Sequence, residues 1–221
     1  MDKSLTYELF GYNIEDEEPE YWAPDKLAVF LTRRLGADSD SPLQGRISIA
    51  PRKDTALEAR STNSNWKIST AVIVDGILRL LSSNPKRDGN DMVTPHRQTR
   101  DVLGAPEARR DKSPLRSTYI RREDAVLYQM VRNYLSACKS VFWDKAGQGS
   151  FITKTVGIQA QFDVLRVLAT QAYEDRVISV QSFESKLAPA GSLDFSEAEY
   201  RNASGSGRSL IRRAILNALD L

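Results

Sequence analysis

Apolar side chains recur every three or four positions over several stretches of this chain, the spacing that gathers them on one face of an α-helix. Leu27, Phe30, Leu31 and Leu35 form the first stripe, with Pro24 suited to the first helical position and Gly36 to its end. A second covers residues 66–81, with Val72, Ile73, Ile77, Leu80 and Leu81 on one face and Ser69 or Thr70 as cap. Gly76 inside it costs about 1 kcal/mol against alanine, which predicts close packing there rather than a break. The two strongest stripes follow. One spans 121–142 through Ala125, Val126, Tyr128, Val131, Leu135, Cys138 and Phe142; after a turn at 147–149, the other spans 150–173. Long helices with a short connection predict antiparallel packing. Weaker helical patterns cover 4–11 and 177–187, and a last one runs through Ile211, Ile215, Leu216 and Leu219. Only 45–50, GRISIA, alternates polar and apolar as a short strand would. The predicted fold is mainly α, a helical bundle around the long antiparallel pair, with at most a short β element.

Between 82 and 118 no periodicity is sustained, and Pro85, Gly89, Pro95, Gly104, Pro106 and Pro114 punctuate a polar segment. A structureless stretch of that length is uncommon inside a compact domain, so residues 84–118 are expected to be a mobile loop or insertion. It divides an N-terminal helical part with the short strand, 1–83, from a C-terminal helical part, 119–221, within one compact domain. A length of 221 residues can bury a sizeable core.

Composition changes this picture little. Apolar residues make up 41% and charged residues 27%, near globular averages. No apolar run approaches the roughly 18 residues a membrane span needs, and Met1 is followed by Asp2 rather than by a signal segment. The expectation is a cytoplasmic chain with no membrane contact. Cys138 is alone, so it forms no internal disulfide and reads as a buried thiol.

The distribution of charge says more than its net value of +2. Glu15, Asp16, Glu17, Glu18 and Glu20 form an acidic run. Lys86, Arg87, Arg97, Arg100, Arg109, Arg110, Lys112, Arg116, Arg121 and Arg122 make 84–122 basic. Such runs are usually solvated faces; the functional alternative is contact with phosphates, where Lys and Arg displace counterions. A second candidate is SGSGRS before the last helix, comprising Ser204, Gly205, Gly207, Arg208 and Ser209. Glycine amides, a helix start and a guanidinium favour an anion there, and Arg212 and Arg213 follow on the same helix. It is not a Walker loop, because the Gly-Lys-Ser/Thr ending is missing. The expected phosphate or DNA contacts are therefore these residues together with Arg109, Arg110 and Lys112.

No catalytic or metal-binding set emerges. His96, the single histidine, has no neighbouring Cys or His to complete a metal site and no paired nucleophile. Glu17/Glu18 and Glu123/Asp124 are adjacent and do not converge as an acid–base pair would. Trp22, Trp66, Trp143 and Tyr128 are scattered on apolar faces, where core packing outweighs base stacking. No catalytic residue, metal or cofactor is expected.

Three groups of residues resemble the C-terminal part of the bacterial DGQHR-domain family, which includes DndB-like proteins tied to phosphorothioate DNA modification. They are 2–11 (DKSLTYELFG) with 41–49 (SPLQGRISI), 127–144 (LYQMVRNYLSACKSVFWD) with 150–166 (SFITKTVGIQAQFDVLR), and 203–215 (ASGSGRSLIRRAI). The name motif Asp-Gly-Gln-His-Arg is absent; Asp75-Gly76-Ile77-Leu78-Arg79 shares only its first two and last residues. In the family that motif lies in a ParB-like part upstream of segments like 2–11. The resemblance therefore implies a helical portion of a longer member, partnered by DNA or by a protein supplying the ParB-like part. The expected function is a non-catalytic module in DNA modification, its regulation or phage defence. An enzyme fragment active only with that part, or a structural oligomerisation domain, are the alternatives.

Overall fold

The structure, a computed structural model, describes residues 18–48, 66–201 and 206–221. The expected helix at 4–11, the last two residues of the expected strand, and Ser204 and Gly205 lie outside the described residues. Helix α1, Pro24–Ala37, begins on its proline and buries Leu27, Leu31 and Leu35. It runs through Gly36 and ends where the Asp38 amide donates to the Arg34 carbonyl. The chain reverses through Gly45, which at φ 63° occupies the left-handed region that glycine enters without steric cost. Strand β1, Ile47–Ser48, then pairs in parallel with β2, Ile68–Ser69, Ile47 opposite Ile68.

Helix α2, Thr70–Leu81, follows β2 directly and is buried on nearly every side, as a helix that is apolar all round must be. It packs against α1 on one flank and against α6, Thr155–Glu174, on the other. Gly76 makes the second contact possible. A Cβ there would stand 2.5 Å from the ring of Phe162, so the aromatic face lies directly on the α2 backbone.

The long pair is antiparallel, as the pattern predicts. Helix α5, Asp124–Cys138, extends through a π turn, Lys139–Trp143, and its two ends meet opposite ends of α6. Tyr173 near the end of α6 donates to Glu123 at the start of α5, while Trp143 at the end of the π turn donates to Gln161. Most of the surface of each helix is nevertheless covered by something else: α5 by α7, Val180–Leu187, and α6 by α2 and α8, Ser206–Ala218.

Gln161 joins the pair and is fully buried. Its Oε1 accepts from Trp143 Nε1 at 2.9 Å, and its Nε2 donates to the carbonyls of Ile152 at 2.8 Å and Gly157 at 3.1 Å. Its own carbonyl accepts from the hydroxyl of Tyr134 at 2.8 Å. Every polar atom of the side chain is thus satisfied, as burial requires.

The expectation of a structureless 84–118 is corrected. Helix α3, Pro85–Asp91, a 3-10 turn, Arg100–Gly104, and helix α4, Arg116–Ile120, occupy this stretch. Asn84 caps α3 by accepting from the Arg87 amide, and Pro85 occupies the first turn, where no amide hydrogen is needed. Two buried arginines order the segment, Arg100 by tying it to the rest and Arg116 by bracing it internally. Arg100, fully enclosed, donates through both terminal nitrogens to Asp124 and also to the carbonyls of Trp22 and Tyr119. Arg116 forms a two-bond pair with Asp88, which also accepts from the Ser82 hydroxyl. The ring of Tyr119 lies 4.6 Å from the Arg100 guanidinium, and its hydroxyl donates to the Trp22 carbonyl. A segment without an apolar stripe is held instead by these paired charges together with isolated core contacts at Met92, Leu103 and Leu115.

Candidate nucleic-acid interface

Among the described residues, some arginines are enclosed and consumed by the fold while others reach solvent. Arg116, part of the basic run, belongs to the first class and cannot reach a ligand while paired with Asp88. Arg208 also belongs there, which corrects its expected role as a phosphate donor. Its Nε and a terminal nitrogen each donate to a carboxylate oxygen of Asp163 on α6 at 2.5 Å, in the fork geometry that suits guanidinium and carboxylate. Gly207 is buried beside it. The pair fixes the start of α8 onto α6.

Two sets of candidates remain at the surface. On α8, Ile211 and Ile215 are buried while Ser209, Arg212 and Arg213 are exposed. In the second set, Arg109, Arg110 and Lys112 are exposed and flank a carboxylate that faces inward. Asp111 Oδ2 accepts from the amide of Ser83 at 2.8 Å and from its hydroxyl at 2.7 Å, and Oδ1 accepts from the Ser113 amide at 2.7 Å. Burial opposes ionisation there, but the hydrogen bonds from Ser113 and Ser83 outweigh it and hold the carboxyl at about 2. Four residues later the Leu115 amide donates to the Leu80 carbonyl. The basic stretch is therefore laid along the end of α2 and the start of α3.

This placement brings in two cations that sequence reasoning counted as charge but not as site residues. Lys86 and Arg87 are exposed on α3 just beyond Ser83, Arg87 only loosely paired with Asp91 at 3.8 Å. The signal that could have found them is Asn84-Pro85, a cap followed by a first-turn proline, which marks a helix start.

The remaining chemistry is structural. Trp66 and Trp143 meet edge to face at 5.1 Å in the core, Trp22 is buried against Phe30, and Tyr128 donates to Asp38. Cys138 is buried, and desolvation pushes its thiol well above the ordinary range. His96 is exposed. Among the described residues no group of three His, Cys, Asp or Glu side chains is placed to hold a metal ion, and no helix is long and apolar enough to cross a membrane. A groove of about 490 Å³ lies between α5 and α7, lined by Gln129, Arg132, Arg176, Val177 and Gln181 among others. Comparison with family models, curated proteins and solved structures finds no match for the chain.

Proposed function

We propose that the chain is a non-catalytic helical module of a DGQHR-domain, DndB-like protein that acts in the bacterial cytoplasm in DNA modification, its regulation or phage defence. In this reading its contact is with DNA. One observation carries the choice of DNA: of the cations the sequence singles out, Arg109, Arg110 and Lys112 in the stretch held to Ser83 and Arg212 and Arg213 on α8 stay exposed, while Asp124, Asp88 and Asp163 absorb Arg100, Arg116 and Arg208. Positive side chains presented on a rigid scaffold neutralise phosphates without reading base edges, so binding is independent of sequence and falls steeply with salt.

The test is a titration of labelled DNA at two salt concentrations with wild type and two variants, R109Q/R110Q/K112Q and R212Q/R213Q. Loss of affinity with a shallower salt dependence in either variant supports the reading. Equal binding by wild type and both variants refutes these contacts. If wild type binds no DNA, the partner is a protein, and the groove between α5 and α7, where Val177 is 42% exposed, is the surface to map.

A further inference from the structure

The two basic segments are not equivalent, and two hydrogen-bonded carboxylates, half-buried Asp111 and buried Asp88, say why. Asp111 clamps the 109–112 stretch to Ser83, and Asp88 clamps α3 to Arg116. Both clamps hold the same corner, where α2 ends and α3 begins. Consecutive Cα atoms are ~3.8 Å apart, so Lys86, Arg87, Arg109, Arg110 and Lys112 all anchor within roughly 30 Å of one another. The exposed acids between residues 86 and 112 are Asp91, Asp101 and Glu107, of which Asp101 is paired with Arg122. By contrast, the α8 set has lost Arg208 to Asp163.

We infer that Lys86, Arg87, Arg109, Arg110 and Lys112 form one preorganised face for the phosphate backbone of duplex DNA, with Asp111 as the residue that positions it. The inference rests on the DNA-binding reading above. Each strand of a duplex offers a phosphate per ~3.4 Å of axis, so roughly 30 Å carries more charges than the five cations need. Duplex is favoured over single strand because the large exposed hydrophobic side chains among the described residues are Val93, Val167, Val177, Leu193 and Leu221, none with a ring on which a base could stack. Preorganisation matters because a loose basic loop must lose conformational freedom at the moment of binding, which lowers affinity.

The experiment measures binding of the full chain to a fluorescent 20-base-pair duplex of arbitrary sequence, and to one of its strands, at 50 and 200 mM salt. With five contacts at a slope of about −0.9 each, wild type should weaken roughly 500-fold over that range. K86Q/R87Q should weaken only roughly 40-fold and bind less tightly at 50 mM. Asp111→Asn supplies the decisive arm, since it adds one unit of positive charge. If diffuse charge governs binding, D111N binds tighter; if the clamp positions the face, it binds more weakly. Ser83→Ala, which removes one of the clamp's hydrogen bonds without changing charge, should weaken binding in the same direction and serves if D111N melts. A wild type that binds no duplex overturns the DNA-binding reading itself. Duplex binding unaffected by K86Q/R87Q, tighter binding by D111N, or preference for the single strand overturns the composite face while leaving that reading intact.

Discussion

Replacing Gln161 with leucine tests whether the two long helices are joined by a satisfied polar network or merely by apolar contact. Leucine is close in volume, so the cavity contribution is small and the effect isolates hydrogen bonding. The substitution leaves the indole N–H of Trp143 and the carbonyl of Ile152 buried without their partner. An unsatisfied buried group costs ~1–3 kcal/mol, so the pair should cost about 2–6 kcal/mol. In a chain of this size each kcal/mol moves Tm by roughly 2–4 °C, which predicts a fall of about 4–24 °C in a thermal melt followed by circular dichroism. A double-mutant cycle with Trp143→Phe sharpens the argument. Phenylalanine removes the orphaned donor, so W143F should cost less in the Q161L background than in wild type, by ~1 kcal/mol or more. Lost packing of the indole against Trp66 enters both arms equally and cancels. If Q161L melts within a degree or two of wild type and W143F costs the same in both backgrounds, the network contributes nothing and the reasoning is wrong.

Three further outcomes follow from the same geometry. Gly76→Ala should destabilise by about 1–3 kcal/mol despite the better helix propensity of alanine, because the new methyl would stand 2.5 Å from the Phe162 ring; a variant more stable than wild type in urea unfolding would contradict that contact. Arg116→Leu should cost ~3–5 kcal/mol by stranding the Asp88 charge, and adding Asp88→Leu should restore part of it; a double variant no better than the single would show that Asp88 is not a buried charge in need of a partner. For Asp111 the folded carboxyl lies at about 2, below its ordinary 3.8, so the unfolded chain takes up the proton first on acidification. Its stabilisation is complete above about 4 and is lost as pH falls through about 2, so D111N should be less stable than wild type at neutral pH and converge with it in acid when urea midpoints are compared across that window.

Much of the helical content was written in local pattern. Leu27, Leu31 and Leu35 mark α1, the Val72–Leu81 stripe marks α2, and the two long stripes mark α5 and α6, each found within a few residues of its expected bounds. Periodicity works there because an amphipathic face is encoded within two or three turns and needs only some apolar surface to meet. Gly76 was legible for the same reason: a glycine in a good helix implies something pressed against it, although only the structure names Phe162. The 84–118 segment shows no stripe because its order comes from ion pairs and from single apolar anchors, Met92, Leu103 and Leu115, too far apart to leave a periodic trace. Arg116 meets Asp88 28 residues away, and Arg208 meets Asp163 45 residues away. The sequence by itself therefore determined the longer helices and that cations are plentiful between 84 and 122, but not the short helices α3 and α4. Only the tertiary structure decided which of those cations remain free. Whether an arginine faces solvent or a buried carboxylate depends on which distant acid the packed helices bring within about 3 Å, and in a low-dielectric interior that pairing is compulsory.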